Sequence, residues 1–198
     1  MGIFSLLLIA SLIPSDSSKL PTSDSPSPKL VVGITIDQMR ADFLTRFKDH
    51  FTDGGFKRIM NGGFTCYDHH YGYAPTFTGP GHASIYTGTT PSVHGIIAND
   101  WFVRDKNTTV YCSSDSRARG IGNDGIDGLD GRPLVFDKAG QMSPMHLLSN
   151  TIGDEMKLAN MGKDAPKVIG ISIKDRGAIL PAGHSADGAY WFYGKNHG

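Results

Sequence analysis

Two apolar runs rich in β-branched residues, far apart in the chain, constrain the fold most. The first is 30–36, LVVGITI, and the second is 167–173, KVIGISI. Near-continuous apolar runs of this kind are typical of strands that a parallel sheet buries on both faces. Helical spacing follows the first run over 39–51, and Ser143-Pro144 predicts the start of a second helix that stops near Gly162. This order predicts an α/β fold with a mostly parallel central sheet flanked by helices.

The first 28 residues differ in composition from the rest of the chain. The apolar run 3–13 is too short to cross a bilayer and lies where a signal-peptide core would lie, and 14–28 is rich in serine, proline and aspartate. We therefore predict a signal peptide and linker over 1–28 and part of one α/β domain over 29–198. A buried N-terminal strand or helix is the alternative, and the loose tether disfavours it. The predicted location is the periplasm or the cell exterior, with no stable membrane span.

The charge balance excludes some classes of partner. Nineteen basic residues match nineteen acidic residues in the 198-residue chain, which predicts neither nucleic-acid binding nor attachment to a membrane surface. An anionic ligand therefore needs a local site.

The two cysteines, Cys66 and Cys112, could form one disulfide in an exported protein or remain free thiols, and the sequence leaves both open.

Polar side chains follow both predicted strands. Asp37 comes directly after the first strand, and Lys174 and Arg176 come directly after the second. Ligands of open α/β sheets bind beyond the carboxyl ends of the strands, so an acid there could coordinate a metal and the basic pair could bind a phosphate or sulfate. A helix cap and a solvated turn are the alternatives.

The segment 75–95, PTFTGPGHASIYTGTTPSVHG, places Thr78 before a glycine-proline-glycine sequence and the start of a predicted helix. A hydroxyl at a helix N-terminus lies where free backbone N–H groups favour an anion. Threonine is a poor nucleophile near neutral pH, however, and needs a base or a metal to act as the alkoxide. Without that help Thr78 is only a helix cap.

Several ordered strings together carry a family resemblance: ITID, TFTGPGH, SIYTG, HGIIANDW and SIKDRGAILPAGH. They resemble the threonine-nucleophile periplasmic alkaline phosphatases of the PafA type, in the alkaline phosphatase superfamily, from about Leu30 to Trp191. The resemblance implies an alkaline-phosphatase-like fold. It also implies the site residues: Thr78 as nucleophile and zinc ligand, Asp37 as zinc ligand, and Asn99, Lys174 and Arg176 as phosphate-binding residues.

The activity that this resemblance implies is hydrolysis of small-molecule phosphate monoesters through a phospho-threonine intermediate, with two zinc ions in a complete site. The remaining Asp and His ligands are expected beyond Gly198, so the chain is expected to be an N-terminal part, incomplete at its C-terminus. We expect such a chain to hold at most one metal weakly and to have little or no activity. His82 and His184 are expected to be structural.

Other functions remain as alternatives. A nucleotide pyrophosphatase/phosphodiesterase shares the threonine and the asparagine, but the Lys174 and Arg176 pair favours a monoester, whose dianion has an additional charged oxygen. A sulfatase is disfavoured because threonine occupies the nucleophile position. A non-catalytic domain derived from this fold is the alternative outside enzymes. The sequence predicts neither the natural substrate nor the oligomeric state.

Overall fold

The computed structural model describes residues 6–10, 28–118, 140–161 and 164–192. The chain divides into two compact units, Met1–Gly72 and Tyr73–Gly198, which we describe separately. Within the described ranges, no helix combines the length and the apolar character that crossing a membrane requires. The domain boundary after residue 28 and the signal peptide stay predictions.

The first unit contains a two-stranded sheet followed by short helices. Strand β1 (Leu6–Ala10) pairs antiparallel with β2 (Val32–Ile36), so the backbone of the apolar run near the N-terminus is extended. Helices α1 (Phe43–Arg46) and α2 (Phe56–Gly62) follow, with a 3-10 turn at Lys48–His50 between them. Strand β2 begins two residues later than the apolar run and is exposed over its first three residues.

The second unit is built around a buried helix. Helix α3 (Thr78–Thr87) is buried over its first seven residues, 78–84, and ends at Gly88, whose φ of 67° is left-handed. Such a φ favours glycine. A short helix, α4 (Pro91–His94), comes next. The buried core cluster beside α3 consists of Ala83, Ile96, Cys112, Leu147 and Leu180.

A β-hairpin that the sequence analysis does not predict packs against this core. Strands β3 (Asp100–Val103) and β4 (Thr108–Tyr111) pair antiparallel, with Asp100 opposite Tyr111. A 3-10 turn at Arg104–Lys106 and Asn107, at a φ of 47°, connect them. Trp101 and Tyr111 are half-buried against the core cluster. The hairpin thereby places Tyr111 at the edge of the core.

A later helix begins at a different residue from the predicted one. Helix α5 (Ile152–Ala159) is capped by Thr151, whose Oγ1 accepts from the Asp154 N–H (3.2 Å), while Asp154 Oδ2 accepts from the Thr151 N–H (2.8 Å). This reciprocal capping box satisfies two N-terminal donors. The predicted start at Ser143-Pro144 is wrong. Ser143 Oγ accepts from the Met145 N–H at 3.2 Å and donates to Asp115 Oδ2 at 2.7 Å, but the turn that follows does not continue as a helix. The predicted stop at Gly162 lies outside the described residues.

The second apolar run forms a parallel strand pair. Strand β5 (Ile169–Ser172) pairs parallel with β6 (Gly188–Trp191), and helix α6 (Asp175–Ala182) joins them. The prediction of burial on both faces is wrong here, since Gly170 is buried against α6 but Ile171 is 78% exposed. The strands of the described residues form three two-stranded sheets, of which this one is parallel. Helices and strands in this order agree with the predicted α/β class.

Candidate active site

Thr78 is the first residue of α3. The sequence predicts a helix start here but places Thr78 before it, as the cap. The preceding residue, Phe77, is the N-cap and has extended backbone (φ −70°, ψ 167°), so the chain turns into the helix at the threonine. Thr78 is 8% exposed. Its carbonyl oxygen accepts a hydrogen bond from His82 Nδ1 at 2.8 Å. His82 is therefore a buried side chain that fixes the first turn, in agreement with the structural role expected for it.

The Asn99 side chain caps this helix from another segment. The Gly79 N–H donates to Asn99 Oδ1 at 2.7 Å. Since only the amide oxygen can accept this hydrogen bond, the amide orientation is fixed and Nδ2 is left as a donor group. The next helical N–H is absent because residue 80 is proline, and the Gly81 N–H donates to the Phe77 carbonyl at 2.9 Å.

These bonds correct one expectation about the helix terminus. Backbone N–H groups of the first turn were expected to attract an anion. At 79–81, however, two of the N–H groups already donate and the third position has none. An anion at this helix start could instead accept a hydrogen bond from Nδ2 of the Asn99 side chain.

Close packing joins the helix start to the end of the hairpin. A Cβ on Gly79 would lie 3.2 Å from the Ala98 carbonyl oxygen, 3.2 Å from Asn99 Oδ1 and 3.3 Å from Cys112 Sγ, which leaves almost no room for a side chain. The Cys112 N–H also donates to the Asn99 carbonyl at 2.8 Å. Burial raises the pKa of the Cys112 thiol to about 12, so this side chain is a neutral packing group. Both cysteines are free thiols, Cys66 exposed and Cys112 buried.

Arg176 is the second residue of α6 and is held by the hairpin. Its Nη1 donates to the Tyr111 hydroxyl at 2.9 Å, and that hydroxyl donates to Asp175 Oδ1 at 2.5 Å. The guanidinium carbon lies 5.8 Å from the centroid of the Tyr111 ring. Burial alone would lower the pKa of Arg176, but its contacts with Tyr111 hold that pKa above the ordinary value. The guanidinium is therefore a permanent, half-buried positive charge.

Helix α6 brings Arg176 to the first turns of α3. A Cβ on the next residue, Gly177, would lie 3.8 Å from His82 Nε2, so the two helix starts are in close proximity. The positive charge of Arg176 also acts on the buried Cys112 thiol, which itself touches the start of α3. The structure therefore gathers Thr78, Asn99 and Arg176 around one packed group.

The other two predicted site residues have different surroundings. Lys174 is exposed at the N-cap of α6, where its backbone N–H donates to Ser172 Oγ at 3.4 Å. Asp37 lies in the first unit, half-buried in the turn after β2. Over the described parts of the chain, no group of three or more His, Cys, Asp or Glu side chains is placed to hold a metal ion. Zinc takes about four ligands. The described residues by themselves therefore do not form a complete zinc site.

His184 takes part in a buried network rather than in this site. Its Nε2 donates to the Leu147 carbonyl at 2.9 Å, and its backbone N–H donates to Asp154 Oδ2 at 3.2 Å. Asp154 also accepts from the Ser185 N–H (2.7 Å) and hydroxyl (2.6 Å). Burial opposes the charge, but these hydrogen bonds hold the pKa of Asp154 well below its ordinary value. The contacts agree with the structural role expected for His184.

Tyr111 is the functional candidate that sequence reasoning missed. It contacts Asp175 and Arg176 across separations of 64 and 65 positions. The sequence around it, TTVYC, carries a strand signal and nothing that indicates a partner. The position of the tyrosine at the end of an apolar, β-branched segment is the one feature of the sequence that could have drawn attention to it.

Comparisons with known proteins identify the family of the chain. The family model for type I phosphodiesterase / nucleotide pyrophosphatase matches residues 31–170. Alkaline phosphatase PafA of Elizabethkingia meningoseptica is 43% identical over 171 residues, covering 86% of this chain and 29% of the relative. Alkaline phosphatase PhoV of Synechococcus elongatus is 47% identical over 165 residues, covering 83% of this chain and 28% of the relative. The chain thus spans less than a third of the length of these relatives.

A solved structure gives a similar fold. The crystal structure of a PafA variant matches with a TM-score of 0.71 and 39% identity, over 80% of this chain and 28% of that chain. A threonine, an asparagine, a lysine and an arginine are substituted in that variant. Its threonine and asparagine are 21 positions apart, and its lysine and arginine are 2 apart. Thr78 and Asn99, and Lys174 and Arg176, have the same separations here. The likeness confirms the predicted alkaline-phosphatase-like fold.

Proposed function

Since the chain belongs to the type I phosphodiesterase / nucleotide pyrophosphatase family, we propose that it carries the nucleophile and phosphate-binding part of a phosphate monoester hydrolase. The predicted resemblance to the alkaline phosphatases is confirmed by relatives at 43% and 47% identity. One observation carries the proposal for this chain: hydrogen bonds and close packing gather the Thr78 helix start, Asn99 and Arg176 into one group.

Thr78 is the proposed nucleophile. Its Oγ1 attacks phosphorus in line, the bond from phosphorus to the leaving oxygen breaks, and a phospho-threonine forms. The threonine gives its proton to solvent, and the departing alkoxide takes one from solvent. A metal ion bound at Thr78 would supply the lowered hydroxyl pKa that this loss of the proton needs. Water then hydrolyses the phospho-threonine and regenerates the hydroxyl. The fixed start of α3 supports this role because it holds the Thr78 backbone, which carries the hydroxyl, in one place.

Asn99 and Arg176 are the proposed ligands of the phosphoryl oxygens. Charge in a loose phosphoryl-transfer transition state lies on the equatorial oxygens, where fixed donors and cations stabilise it. The Arg176 guanidinium supplies the charge. Asn99 supplies Nδ2, and acceptance of the Gly79 N–H by its Oδ1 polarises the amide and strengthens that donor. Lys174, exposed two positions before Arg176, is proposed to reach the same phosphate from solvent.

The two zinc ions of the predicted site, with Asp37 and Thr78 as ligands, remain a prediction. These two oxygen ligands fall short of the roughly four that one zinc takes. Bound zinc measured by atomic emission, with and without added metal, tests the expectation of at most one weakly held ion. A periplasmic or secreted location likewise remains a proposal.

The substrate class is proposed to be a small-molecule phosphate monoester. A monoester dianion has an additional charged oxygen that Lys174 and Arg176 can bind, whereas a diester carries a substituent there. The second candidate is a nucleotide pyrophosphatase/phosphodiesterase, which the description of the family model favours. Rates on an aryl phosphate and on the matching bis-aryl phosphate separate the two. Faster hydrolysis of the diester would replace our assignment with the second one.

A trapped intermediate tests the chemistry directly. We expect the chain to hydrolyse aryl phosphate slowly with added zinc, and acid quenching to leave one phosphoryl group on the peptide that contains Thr78. Thr78→Ala removes both signals. Thr87→Ala is the matched control, since Thr87 lies in the last turn of the same helix and donates to the Ala83 carbonyl at 2.7 Å. Equal rates for wild type and Thr78→Ala would refute the nucleophile and favour a non-catalytic domain.

A further inference from the structure

The Tyr111 hydroxyl lies between a carboxylate and a guanidinium. It donates to Asp175 Oδ1 at 2.5 Å and accepts from Arg176 Nη1 at 2.9 Å. Asp175 Oδ1 also accepts from the Arg176 backbone N–H at 2.6 Å. The ion pairs found among the described residues include none between the Asp175 carboxylate and the Arg176 guanidinium. The two charges therefore meet through the tyrosine rather than directly.

Removal of the hydroxyl would change this balance. The Asp175 carboxylate would lose a hydrogen-bond donor, and the adjacent guanidinium would be the cation best placed to replace it. A direct ion pair of this kind is often bidentate. It would neutralise the charge of Arg176 and occupy the donors that a phosphoryl oxygen needs. Tyr111 prevents this pairing by satisfying both partners at once.

The tyrosine also fixes the plane of the guanidinium. Nη1 is bound to the hydroxyl, and the guanidinium carbon lies within cation–π range of the ring. Arg176 Nε is buried and has no hydrogen-bond partner in the part of the chain that the structure describes. The bonds to Tyr111 leave the other terminal nitrogen, Nη2, to an incoming ligand. A guanidinium held in this way loses little side-chain entropy when it binds an anion.

We propose that Tyr111 is a positioning residue for phosphate monoesters: it holds the Arg176 guanidinium away from Asp175 and oriented for a phosphoryl oxygen. The inference rests on the proposed function, because it takes Arg176 as a phosphate ligand. Tyr111 does not touch the substrate. It acts through the arginine, so its effect disappears when the arginine is absent.

A double-mutant cycle tests this dependence. Tyr111→Phe keeps the ring and removes the hydroxyl; Arg176→Ala removes the guanidinium; both are combined in a third variant. The measurements are the affinity for inorganic phosphate and kcat/KM for aryl phosphate and bis-aryl phosphate. We expect Tyr111→Phe to weaken phosphate affinity and lower monoester kcat/KM about tenfold, the scale of a hydrogen bond to a charged group. The diester rate should change about twofold or less, since that substrate lacks the additional charged oxygen.

Two comparisons separate a positioning role of Tyr111 from a general structural role: the effect of Tyr111→Phe in the Arg176→Ala background, and the effect of a matched tyrosine substitution elsewhere. In the Arg176→Ala background Tyr111→Phe should have no further effect, whereas an equal loss in both backgrounds would overturn the inference. Tyr73→Phe is the matched control, because Tyr73 is also half-buried and its hydroxyl donates to the Pro80 carbonyl at 3.3 Å. We expect it to leave the phosphate affinity unchanged.

A measurement without substrate separates this inference from the proposed function. In NMR of the labelled guanidinium, the Hη resonances of Arg176 should move downfield in Tyr111→Phe relative to wild type, because the Asp175 carboxylate replaces the tyrosine hydroxyl as their acceptor. If wild type neither binds phosphate nor hydrolyses the ester, the proposed function fails, and these resonances alone decide whether Tyr111 holds the arginine away from Asp175. Unchanged Hη resonances in Tyr111→Phe would overturn the positioning role even if the enzyme is active.

Discussion

His94 makes the stability of the second unit sensitive to mild acid. Its side chain is fully buried, with Nε2 2.9 Å from Ser84 Oγ, and Nδ1 accepts from the Ile96 N–H at 3.1 Å. Because Nδ1 accepts, the proton of the neutral ring is on Nε2, which donates to the serine. Protonation of Nδ1 would break the bond to Ile96 inside the core. Burial lowers the pKa of His94 to about 4.

The sign and the size of the pH effect follow from this shift. In the unfolded chain a histidine titrates near pKa ~6.5, so as the pH falls below that value the unfolded state takes up the proton first. The folded state therefore loses stability between the unfolded pKa and the folded pKa of about 4. Linkage gives a loss of about 2 kcal/mol at pH 5 relative to pH 7.5, and about 3 kcal/mol near pH 4.

Urea unfolding followed by tryptophan fluorescence measures this loss. With an m-value of about 2 kcal/mol per M, the midpoint should fall by about 1 M between pH 7.5 and pH 5. His94→Gln has no titrating ring, so its midpoint should be lower at pH 7.5 and nearly constant over that interval. His50→Gln, at an exposed histidine, is the control and should keep the wild-type slope. A His94→Gln variant with the wild-type slope would refute the reasoning.

Three further predictions use the same structure. Asp154→Asn places an NH2 group against the N–H and hydroxyl donors of Ser185. It should lower the free energy of unfolding by about 3 kcal/mol, as measured by urea titration at pH 7. A loss under about 1 kcal/mol would show that these hydrogen bonds do not stabilise the fold. Gly79→Ala, whose Cβ would lie 3.2 Å from Asn99 Oδ1, should weaken inorganic phosphate binding in calorimetry about tenfold by displacing the amide; unchanged binding would exclude Asn99 as a ligand. Iodoacetamide at pH 8 should label exposed Cys66 quickly and Cys112 only after unfolding, as peptide mass spectrometry can establish.

The sequence predicted the features whose causes are local. Thr78 precedes a run that has to turn into a helix, and it is found as the first residue of α3. The apolar run before Asp175 is found as strand β5, but the helix that begins at Asp175 was not predicted. The residues that define α3 and β5 lie within a few positions of one another along the chain. The site roles of Thr78 and Arg176 came from the family resemblance and stay predictions.

Features that depend on contacts between residues far apart in the chain could not be predicted from the sequence. Ser143 and Thr151 are both good helix caps by residue type, and both accept a backbone N–H, but a helix follows Thr151 alone of the two. Ser143 is bound to Asp115, 28 positions away, which the local sequence does not indicate. Tyr111 is likewise defined by contacts 64 and 65 positions away. The exposed face of β5 could not be foreseen either, because an apolar run is the same whether one or both faces are covered.

The bond from the Gly79 N–H to Asn99 Oδ1 has a consequence for the length of the chain between them. It closes a loop that contains most of α3, whose first seven residues are buried, and all of α4, of which His94 is buried. A single inserted or deleted residue in the stretch 88–98 would rotate or shift the amide relative to the helix that it caps. Length variation among functional descendants of this sequence should therefore be confined to other segments. The number of residues between Thr78 and Asn99 therefore sets the position of the Asn99 amide relative to the proposed nucleophile.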